Sequence, residues 1–438
     1  PAMVALNPIT VTCPADFAVC VDVAPFALSG GTPAGGTYSG PGVSANTFNP
    51  AAAAIGPNTI TYSYMDMNGC SNSCTFVITV NPRPTVDDPA NQTVCNGAMT
   101  AAVTFTGAVS GTVYDWTNDN TSIGLAASGS GNIAAFTAIN TGSAPVVATI
   151  TVTPSYTNAG ETCYGDPQTF TITVNPTPTV ADPVDQVVCN NASTTAVNFT
   201  GAVSGTTYDW TNDDASIGLA ASGSGNIAAF TAINTGSAPV VATITVTPSY
   251  TNAGETCYGD PQTFTITVNP TPTVADPVDQ VVCNNASTTA VSFVGAVPGT
   301  VYSWTNDNTG IGLAASGSGD IAAFTATNAG TTPAVATITV TPEANGCTGA
   351  SQTFTITVNP TPTVASLADQ NVCHNAMTTA VNFSGAVPGT DYNWTNSNPG
   401  IGLGASGTGN IPAFLANNPS NVEVTALITV TPSYTNAG

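Results

Sequence analysis

Short stretches in which polar and apolar residues alternate recur along the whole chain. Residues 148–153 (Ala-Thr-Ile-Thr-Val-Thr) and 169–174 (Thr-Phe-Thr-Ile-Thr-Val) are mostly β-branched and predict half-buried strands, as do residues 196–199 and 207–210. Turn residues such as Ser204-Gly205 follow at short intervals, and no segment has an apolar period of 3.6 residues over the length of a helix. The pattern predicts an all-β protein built of antiparallel β-sandwich domains.

The strand pattern repeats with a long period. The phrase Asn-Pro-x-Pro-Thr-Val occurs four times, at spacings of 94, 94 and 90 residues, and residues 122–197 are identical to residues 216–291. A repeat this long is a domain of its own, because solenoid repeats have only about 20 to 50 residues. Each repeat has one Tyr-x-Trp strand, whose aromatic side chains we expect in the core. The tryptophans are Trp116, Trp210, Trp304 and Trp394.

The repeat also predicts the domain boundaries. A divergent first domain covers residues 9–81, and four repeats follow, at 82–175, 176–269, 270–359 and 360–438. The repeats are joined by Asn-Pro-x-Pro, a short linker biased towards polyproline II, so we expect the domains to lie in line as an elongated rod.

The two ends of the chain permit two interpretations. Residues 1–8 align with the last strand of a repeat, whereas the repeat at 360–438 lacks its final strand. In the first, the chain is a segment of a longer tandem array, and residues 1–8 are the last strand of a preceding domain. In the second, residues 1–8 are a donor strand that completes the open domain of the next molecule. Donor-strand exchange would build a head-to-tail filament.

The eleven cysteines predict a disulfide bond within every complete domain. Each complete repeat has one cysteine after its opening Gln-x-Val segment and one before its last strand, and a chain with a single histidine does not favour Cys/His zinc sites. The expected pairs are Cys95 with Cys163, Cys189 with Cys257, Cys283 with Cys347, Cys20 with Cys70, and Cys13 with Cys74. Cys373 is left unpaired in this chain. Disulfide bonds imply an oxidising, extracellular compartment.

Charge is both scarce and one-sided. The chain of 438 residues carries 24 acidic residues and one basic residue, Arg83, for a net charge of −23, and only 6% of its residues are charged. Without a cluster of cations, binding to nucleic acid or to an anionic membrane surface is not expected. No apolar run is long enough to insert into a membrane, and 42% apolar residues favour a folded chain over a disordered one.

Candidate sites for chemistry are few. His374 is the only histidine, so no Ser-His-Asp or Cys-His set recurs among the repeats, and we expect no enzymatic activity and no cofactor. Residues 129–134 fit the dinucleotide fingerprint Gly-x-Gly-x-x-Ala, but no helix follows them, so they predict a loop. Asp209, Asp213 and Asp214 are weak calcium candidates, because they lack the ligand spacing of known calcium loops and also suit turns.

The strand motifs resemble those of a known group of proteins. The Tyr-x-Trp strand, the closing Thr-Phe-Thr-Ile-Thr-Val-Asn-Pro and the cysteine near each opening strand resemble the PKD-like and immunoglobulin-like repeats of giant Bacteroidota surface proteins, including gliding-motility adhesins. Residues 28–43 and 68–70 of the first domain resemble the immunoglobulin-like modules of those proteins. The chain departs from PKD domains proper at Trp210, which precedes Thr-Asn-Asp-Asp instead of Asp-Phe-Gly-Asp-Gly. The resemblance implies type IX secretion and display at the cell surface.

These observations predict a structural role. We expect an extracellular stalk, or a segment of a surface filament or adhesin, whose partners are neighbouring copies of itself or further repeats of the same chain. One alternative is an adhesive module that binds glycans or surfaces, and another is a non-catalytic spacer of a secreted hydrolase.

Overall fold

The computed structural model describes residues 8–436 and confirms the all-β fold. Residues 1–7, predicted to be a closing or donor strand, lie outside the described residues. The helices in the described part are five 3₁₀ turns of three residues each: η1 (Pro50–Ala52), η2 (Thr121–Ile123), η3 (Ala215–Ile217), η4 (Thr309–Ile311) and η5 (Pro399–Ile401). Within that part, no helix is long and apolar enough to cross a membrane.

The strands fall into five sets, which we call domains one to five. Domain one has two sheets, ordered β1-β7-β6-β3 and β2-β5-β4. Its strands are β1 (Phe17–Cys20), β2 (Phe26–Ala27), β3 (Thr37–Ser39), β4 (Val43–Ser44), β5 (Thr47–Phe48), β6 (Gly56–Met65) and β7 (Ser71–Asn81).

Domains two to four share one topology. In domain two the sheet order is β10-β9-β11-β13-β8, and β12 pairs with the far half of the long strand β11. Its strands are β8 (Gln92–Cys95), β9 (Val113–Asn118), β10 (Ser128–Ser130), β11 (Val146–Asn158), β12 (Glu161–Tyr164) and β13 (Gln168–Asn175). The first strand runs parallel to the last one, and the other pairs are antiparallel.

Domains three and four repeat this order strand by strand. Domain three consists of β14 (Gln186–Cys189), β15 (Thr207–Asn212), β16 (Ser222–Ser224), β17 (Val240–Asn252), β18 (Glu255–Tyr258) and β19 (Gln262–Asn269). Domain four consists of β20 (Gln280–Cys283), β21 (Val301–Asn306), β22 (Ser316–Ser318), β23 (Ala334–Ala344), β24 (Cys347–Thr348) and β25 (Gln352–Asn359).

The layer that faces the main sheet is less regular than the sequence predicts. Residues 196–199 are predicted to form a strand, but the segment forms a single isolated bridge, from Val197 to Ile227. The backbone N–H of Phe199 donates instead to the side-chain Oδ1 of Asn226 at 2.9 Å. Because a side chain satisfies this donor, the segment packs on the core without a continuous backbone ladder.

The core of each repeat is built around the Tyr-x-Trp strand. All four tryptophans lie in the core and are 7% exposed. The indole of Trp116 lies directly on Gly129, where an added Cβ would clash with the ring. Gly131 has a φ of +77° and ends the short strand β10. Gly129 therefore allows close packing against the tryptophan, and Gly131 allows the chain to turn after β10.

Domain five is open along one side. Its strands in the described residues are β26 (Asp391–Asn396), β27 (Ser406–Thr408) and β28 (Ile428–Ser433), in the order β27-β26-β28. Residues 370–373, which correspond to the first strand of the other repeats, form no strand. Ile428 and Val430 are only partly buried, whereas the corresponding Ile150 and Val152 of domain two are fully buried. No closing strand is present among residues 8–436, so residues 370–373 and the edge of this core have no strand partner there.

Candidate functional site at the domain junctions

The distinctive chemistry of this protein lies between its domains, where a hairpin of each of domains two, three and four contacts the domain before it. In domain two, strands β11 and β12 are joined by a two-residue turn, with φ of +50° at Ala159 and +82° at Gly160. Turns with two positive φ angles match the right-handed twist of antiparallel strands, so the hairpin stays regular to its tip. We call this projection the clasp hairpin, and it carries the second cysteine of the repeat.

Each clasp hairpin is bonded covalently to the preceding domain. The pairs are Cys20 with Cys163, Cys95 with Cys257, and Cys189 with Cys347, with Cα–Cα distances of 5.6, 5.5 and 5.7 Å. In each pair the first cysteine ends the first strand of one domain, and the second lies on the clasp hairpin of the next. On the chain-entropy treatment, closing loops this long stabilises the folded state by about 5 kcal/mol per bond.

These bonds correct the intradomain pairing that the sequence predicts. Cys95 does not pair with Cys163, nor Cys189 with Cys257, Cys283 with Cys347 or Cys20 with Cys70; the bond between Cys13 and Cys74 is as predicted. Within the described residues, Cys70 and Cys283 are free rather than bonded, and Cys373 is free as expected.

Strand register gives the physical reason for this correction. Cys95 lies opposite Asn175, next to the pair of Val174 with Val146, whereas Cys163 lies opposite Tyr156. The ten residues from 146 to 156 span about 33 Å at 3.3 Å per residue. A disulfide bond needs Cα atoms within about 7 Å, so the two cysteines of one domain cannot meet.

A pair of asparagines, one of them buried, closes each of the first two junctions beside the disulfide bond. Asn81 ends the last strand of domain one, and its Nδ2 donates to the backbone carbonyl oxygens of Asn158 (2.8 Å) and Glu161 (3.2 Å) on the clasp hairpin. In return, Asn158 Nδ2 donates to Asn81 Oδ1 at 3.1 Å. Asn175 and Asn252 repeat the exchange at 3.2 and 2.9 Å. Asn81 and Asn175 are fully buried, whereas Asn158 is exposed and Asn252 is partly buried, so each exchange joins a buried amide to one at the edge of the junction.

The later junctions keep only part of this exchange. Asn269 Nδ2 donates to the carbonyl oxygen of Asn345 at 3.0 Å. At the junction of domains four and five, Oδ1 of the buried Asn359 has no hydrogen-bond partner in the described residues. From the sequence, these asparagines were assigned only to the Asn-Pro-x-Pro linkers. Their recurrence as the first residue of every linker is the signal that could have identified them as junction residues.

The linkers between domains are packed instead of free. Along residues 176–180, Pro176, Pro178 and Val180 are buried, while the threonines between them are exposed. The hydroxyl oxygen of Thr177 accepts a hydrogen bond from Asn96 Nδ2 at 3.0 Å, which ties the linker to the domain before it. Extended proline-rich backbone that is also buried has little freedom to bend.

The only basic side chain of the chain also lies at a junction. Arg83, in the linker between domains one and two, forms ion pairs with Asp22 of domain one, at 3.4 Å, and with Asp166 of domain two. Its side chain is 42% exposed, so these ion pairs contribute little to stability, on the order of 1 kcal/mol or less each. They still favour one orientation of the two domains.

The aspartates named as calcium candidates make structural hydrogen bonds. Asp213 Oδ1 accepts from the backbone N–H of Thr243 at 2.6 Å, and Asp214 Oδ1 accepts from that of Ser216 at 2.9 Å, at the start of η3. The hydrogen bonds from Ser216 hold the pKa of Asp214 below its ordinary value. Asp209 is exposed on β15. No three His, Cys, Asp or Glu residues cluster anywhere in residues 8–436, and calcium binding stays a prediction.

His374 has a structural contact as well. Its Nδ1 accepts the backbone N–H of Asn418 at 2.9 Å, in the position where Asn190 Oδ1 accepts the N–H of Asn234 in domain three. The imidazole therefore replaces an amide acceptor of the sibling repeats.

Comparison with known families agrees with the repeated topology. The PKD-like domain family matches residues 92–178, 186–272 and 280–362, which together make up more than half of the chain. This protein belongs to the PKD-like domain family. No curated protein matches it.

Similar solved structures include tandem immunoglobulin domains and a cadherin-type ectodomain array. A three-immunoglobulin-domain structure of a titin variant is 13% identical, with a TM-score of 0.38, over 64% of this chain and 98% of the titin chain. The human desmocollin-1 ectodomain is 10% identical, with a TM-score of 0.27, over 98% and 97% of the two chains. Sidekick-1 immunoglobulin domains 1–5 are 14% identical, with a TM-score of 0.27, over 79% of each chain. Similarity at this level carries no inference about function.

Proposed function

We propose that this PKD-like chain is a load-bearing segment of an extracellular stalk or surface filament. The observation that carries the proposal is that three disulfide bonds join consecutive domains and close overlapping loops, 20–163, 95–257 and 189–347. A bond within a domain would protect only that domain. Bonds between domains hold the joints, which are the weakest points of a tandem array under tension or bending.

The overlapping loops determine which residues tension can extend. Force applied at the two ends passes from Cys20 directly to Cys163, and from Cys189 directly to Cys347, so residues 21–162 and 190–346 lie outside the stretched path. If domains two and three unfold, only their residues 163–189 can extend. The hydrogen-bonded asparagine pairs and packed linkers oppose bending at the same joints.

Two features that favour an extracellular location also support the load-bearing role. Disulfide bonds persist in oxidising compartments, and Arg83, followed by Pro84, is the only residue of the chain that trypsin-like proteases could recognise. We infer export and cell-surface display, and the resemblance to gliding-type adhesins of Bacteroidota supports the type IX route. We propose no catalytic role, because PKD-like repeats are typically structural or adhesive modules.

Electron microscopy of the purified chain tests the stalk. Five domains of roughly 40 Å each predict straight rods near 200 Å long under oxidising conditions. Reduction should leave domains of the same size but produce bent particles with a broad range of joint angles. Bent, variable particles from the oxidised chain, or rods whose stiffness does not change on reduction, would refute the proposal.

An adhesive function is a second candidate, favoured by one repeated surface feature. Tyr164 and Tyr258 occupy equivalent positions beside the clasp cysteines and are 63% and 68% exposed. Exposed tyrosines are common glycan contacts, whereas the tryptophans are buried in the core. Binding on a glycan array that is lost in a Tyr164→Ala/Tyr258→Ala variant and kept in Tyr156→Phe would support adhesion. A glycan array without any binding would leave the stalk proposal as the only candidate function.

A further inference from the structure

Each junction disulfide bond spans one linker between domains. The linkers before domains two, three and four contain no strand and cover residues 82–91, 176–185 and 270–279. In the same order, they are spanned by the bonds 20–163, 95–257 and 189–347. Bonds within the domains would have left all three linkers unspanned. Because these loops overlap one another and the loop 13–74, every peptide bond between Cys13 and Cys347 lies inside at least one of them.

The second half of each linker is open to proteases. Four of five residues are exposed in each of the segments 87–91, 181–185 and 275–279. One equivalent position in each segment carries an exposed small apolar side chain, and these residues are Ala90, Val184 (81% exposed) and Val278 (82% exposed). Exposed segments without regular structure are preferred sites of proteolytic cleavage. Endoproteases that cut after small apolar residues therefore find a site in every one of these linkers.

A cut at this position would leave the joint packed. Val180, on the N-terminal side of the cut, is only 8% exposed and belongs to the core of domain three. The backbone N–H of Ala181 donates to the carbonyl oxygen of Thr200 in the same domain at 2.7 Å. The residues equivalent to Val180 are Val86 in the core of domain two and Val274 in the core of domain four. The severed end would therefore stay anchored in the domain that follows it.

We propose that each junction bond is a second covalent path around a protease-accessible linker, so that the stalk keeps its length and still carries load after the linker is cut. The partner implied is an extracellular endoprotease that cuts after small apolar residues. Hydrolysis of the peptide bond after Val184 consumes one water and yields a carboxylate and an amine, while the bond between Cys95 and Cys257 is unchanged. The inference rests on the proposed function and extends it from the intact chain to the cut one.

Single lysine substitutions test the covalent path, because the chain has no lysine and its one arginine precedes proline. Val184→Lys introduces the one site that trypsin can cut. After alkylation of free thiols and digestion of the folded chain, a denaturing gel should show one band of full mass without reductant and two fragments with it. Ala90→Lys and Val278→Lys should behave in the same way. The matched control is Ala368→Lys, at the equivalent exposed position before domain five. No disulfide bond within residues 8–436 spans this position, so its fragments should separate without reductant.

Removal of one bond at a time assigns each path to its linker. In the Val184→Lys chain, Cys95→Ser/Cys257→Ser should release two fragments without reductant, because no other bond spans that linker. Loss of the bond 189–347 should release none. In the Val278→Lys chain the two outcomes should exchange, because the bond 189–347 alone spans that linker.

Electron microscopy tests whether the cut stalk still bears load. Rods of the cut Val184→Lys chain should keep the length and the joint angles of uncut rods. Separation of its fragments without reductant, rods bent at the cut linker, or a linker that trypsin leaves intact in the folded chain would each overturn the inference. The stalk proposal fails separately, because it is tested on the uncut chain, where flexible rods under oxidising conditions would refute it.

Discussion

The overlapping disulfide bonds predict how far the protein can be stretched. We consider a chain pulled by its two ends in a force spectrometer, with Cys70, Cys283 and Cys373 changed to serine to prevent exchange. The first junction bond removes 143 residues from the stretched path and the third removes 158 of the 438. About 140 residues remain, which at about 3.5 Å per residue allow a maximum extension of about 480 Å.

The increase in maximum extension depends on which junction bond is removed, because the remaining bonds still shorten the covalent path. In a Cys189→Ser/Cys347→Ser variant, the shortest covalent route passes through the bonds 13–74 and 95–257, so about 210 residues extend to about 750 Å. In the matched Cys95→Ser/Cys257→Ser variant, the shortest route still passes through the first and third junction bonds, and the extension stays near 480 Å. Full reduction should give about 1,500 Å.

The assay is the final contour length after all domains have unfolded, which does not depend on their individual stabilities. Bonds within the domains would instead leave about 240 residues in the path of this serine-substituted chain, or about 850 Å, and both double variants would then lengthen it. An increase in both double variants, or a length near 850 Å before they are introduced, would refute the interdomain arrangement.

Other predictions follow from single contacts. Asn175→Ala should leave the hairpin amide of the next domain unpaired and cost about 1–3 kcal/mol, seen as faster hydrogen exchange at that junction alone. Gly223→Ala should clash with the Trp210 ring and lower the melting temperature, whereas Ser224→Ala should not. Because its folded pKa is lowered, Asp214 stabilises the fold above its ordinary pKa and loses this effect as the pH falls through the lowered value; urea titrations of Asp214→Asn should lack this acid-dependent step. Trypsin should leave even the reduced, denatured chain intact, and prompt cleavage would contradict this expectation.

The strand content, the tandem repeat and the aromatic core follow from the sequence alone. Alternation in Thr-Phe-Thr-Ile-Thr-Val has the period of a half-buried strand, and a repeated Tyr-x-Trp places two aromatic residues on one face. These are local properties, because the direction of a side chain from a strand depends only on its position in that strand. The segment 196–199 shows the limit of such local prediction. Its Phe199 N–H bonds the side chain of Asn226, 27 residues away in the sequence, instead of the backbone of a neighbouring strand.

Tertiary structure alone decided which cysteines meet. In a chain of similar repeats, a first-strand cysteine has one candidate partner on the clasp hairpin of its own repeat and an equivalent one on that of the next. Sequence spacing does not show which of the two cysteines it bonds. The length of strand β11 separates the pair within a domain by about 33 Å, and the packed Asn-Pro-x-Pro linker brings the next hairpin within bonding distance. The bond partners, and with them the proposed mechanical role, depend on the rise of a long strand and the angle of a joint, which no local pattern encodes.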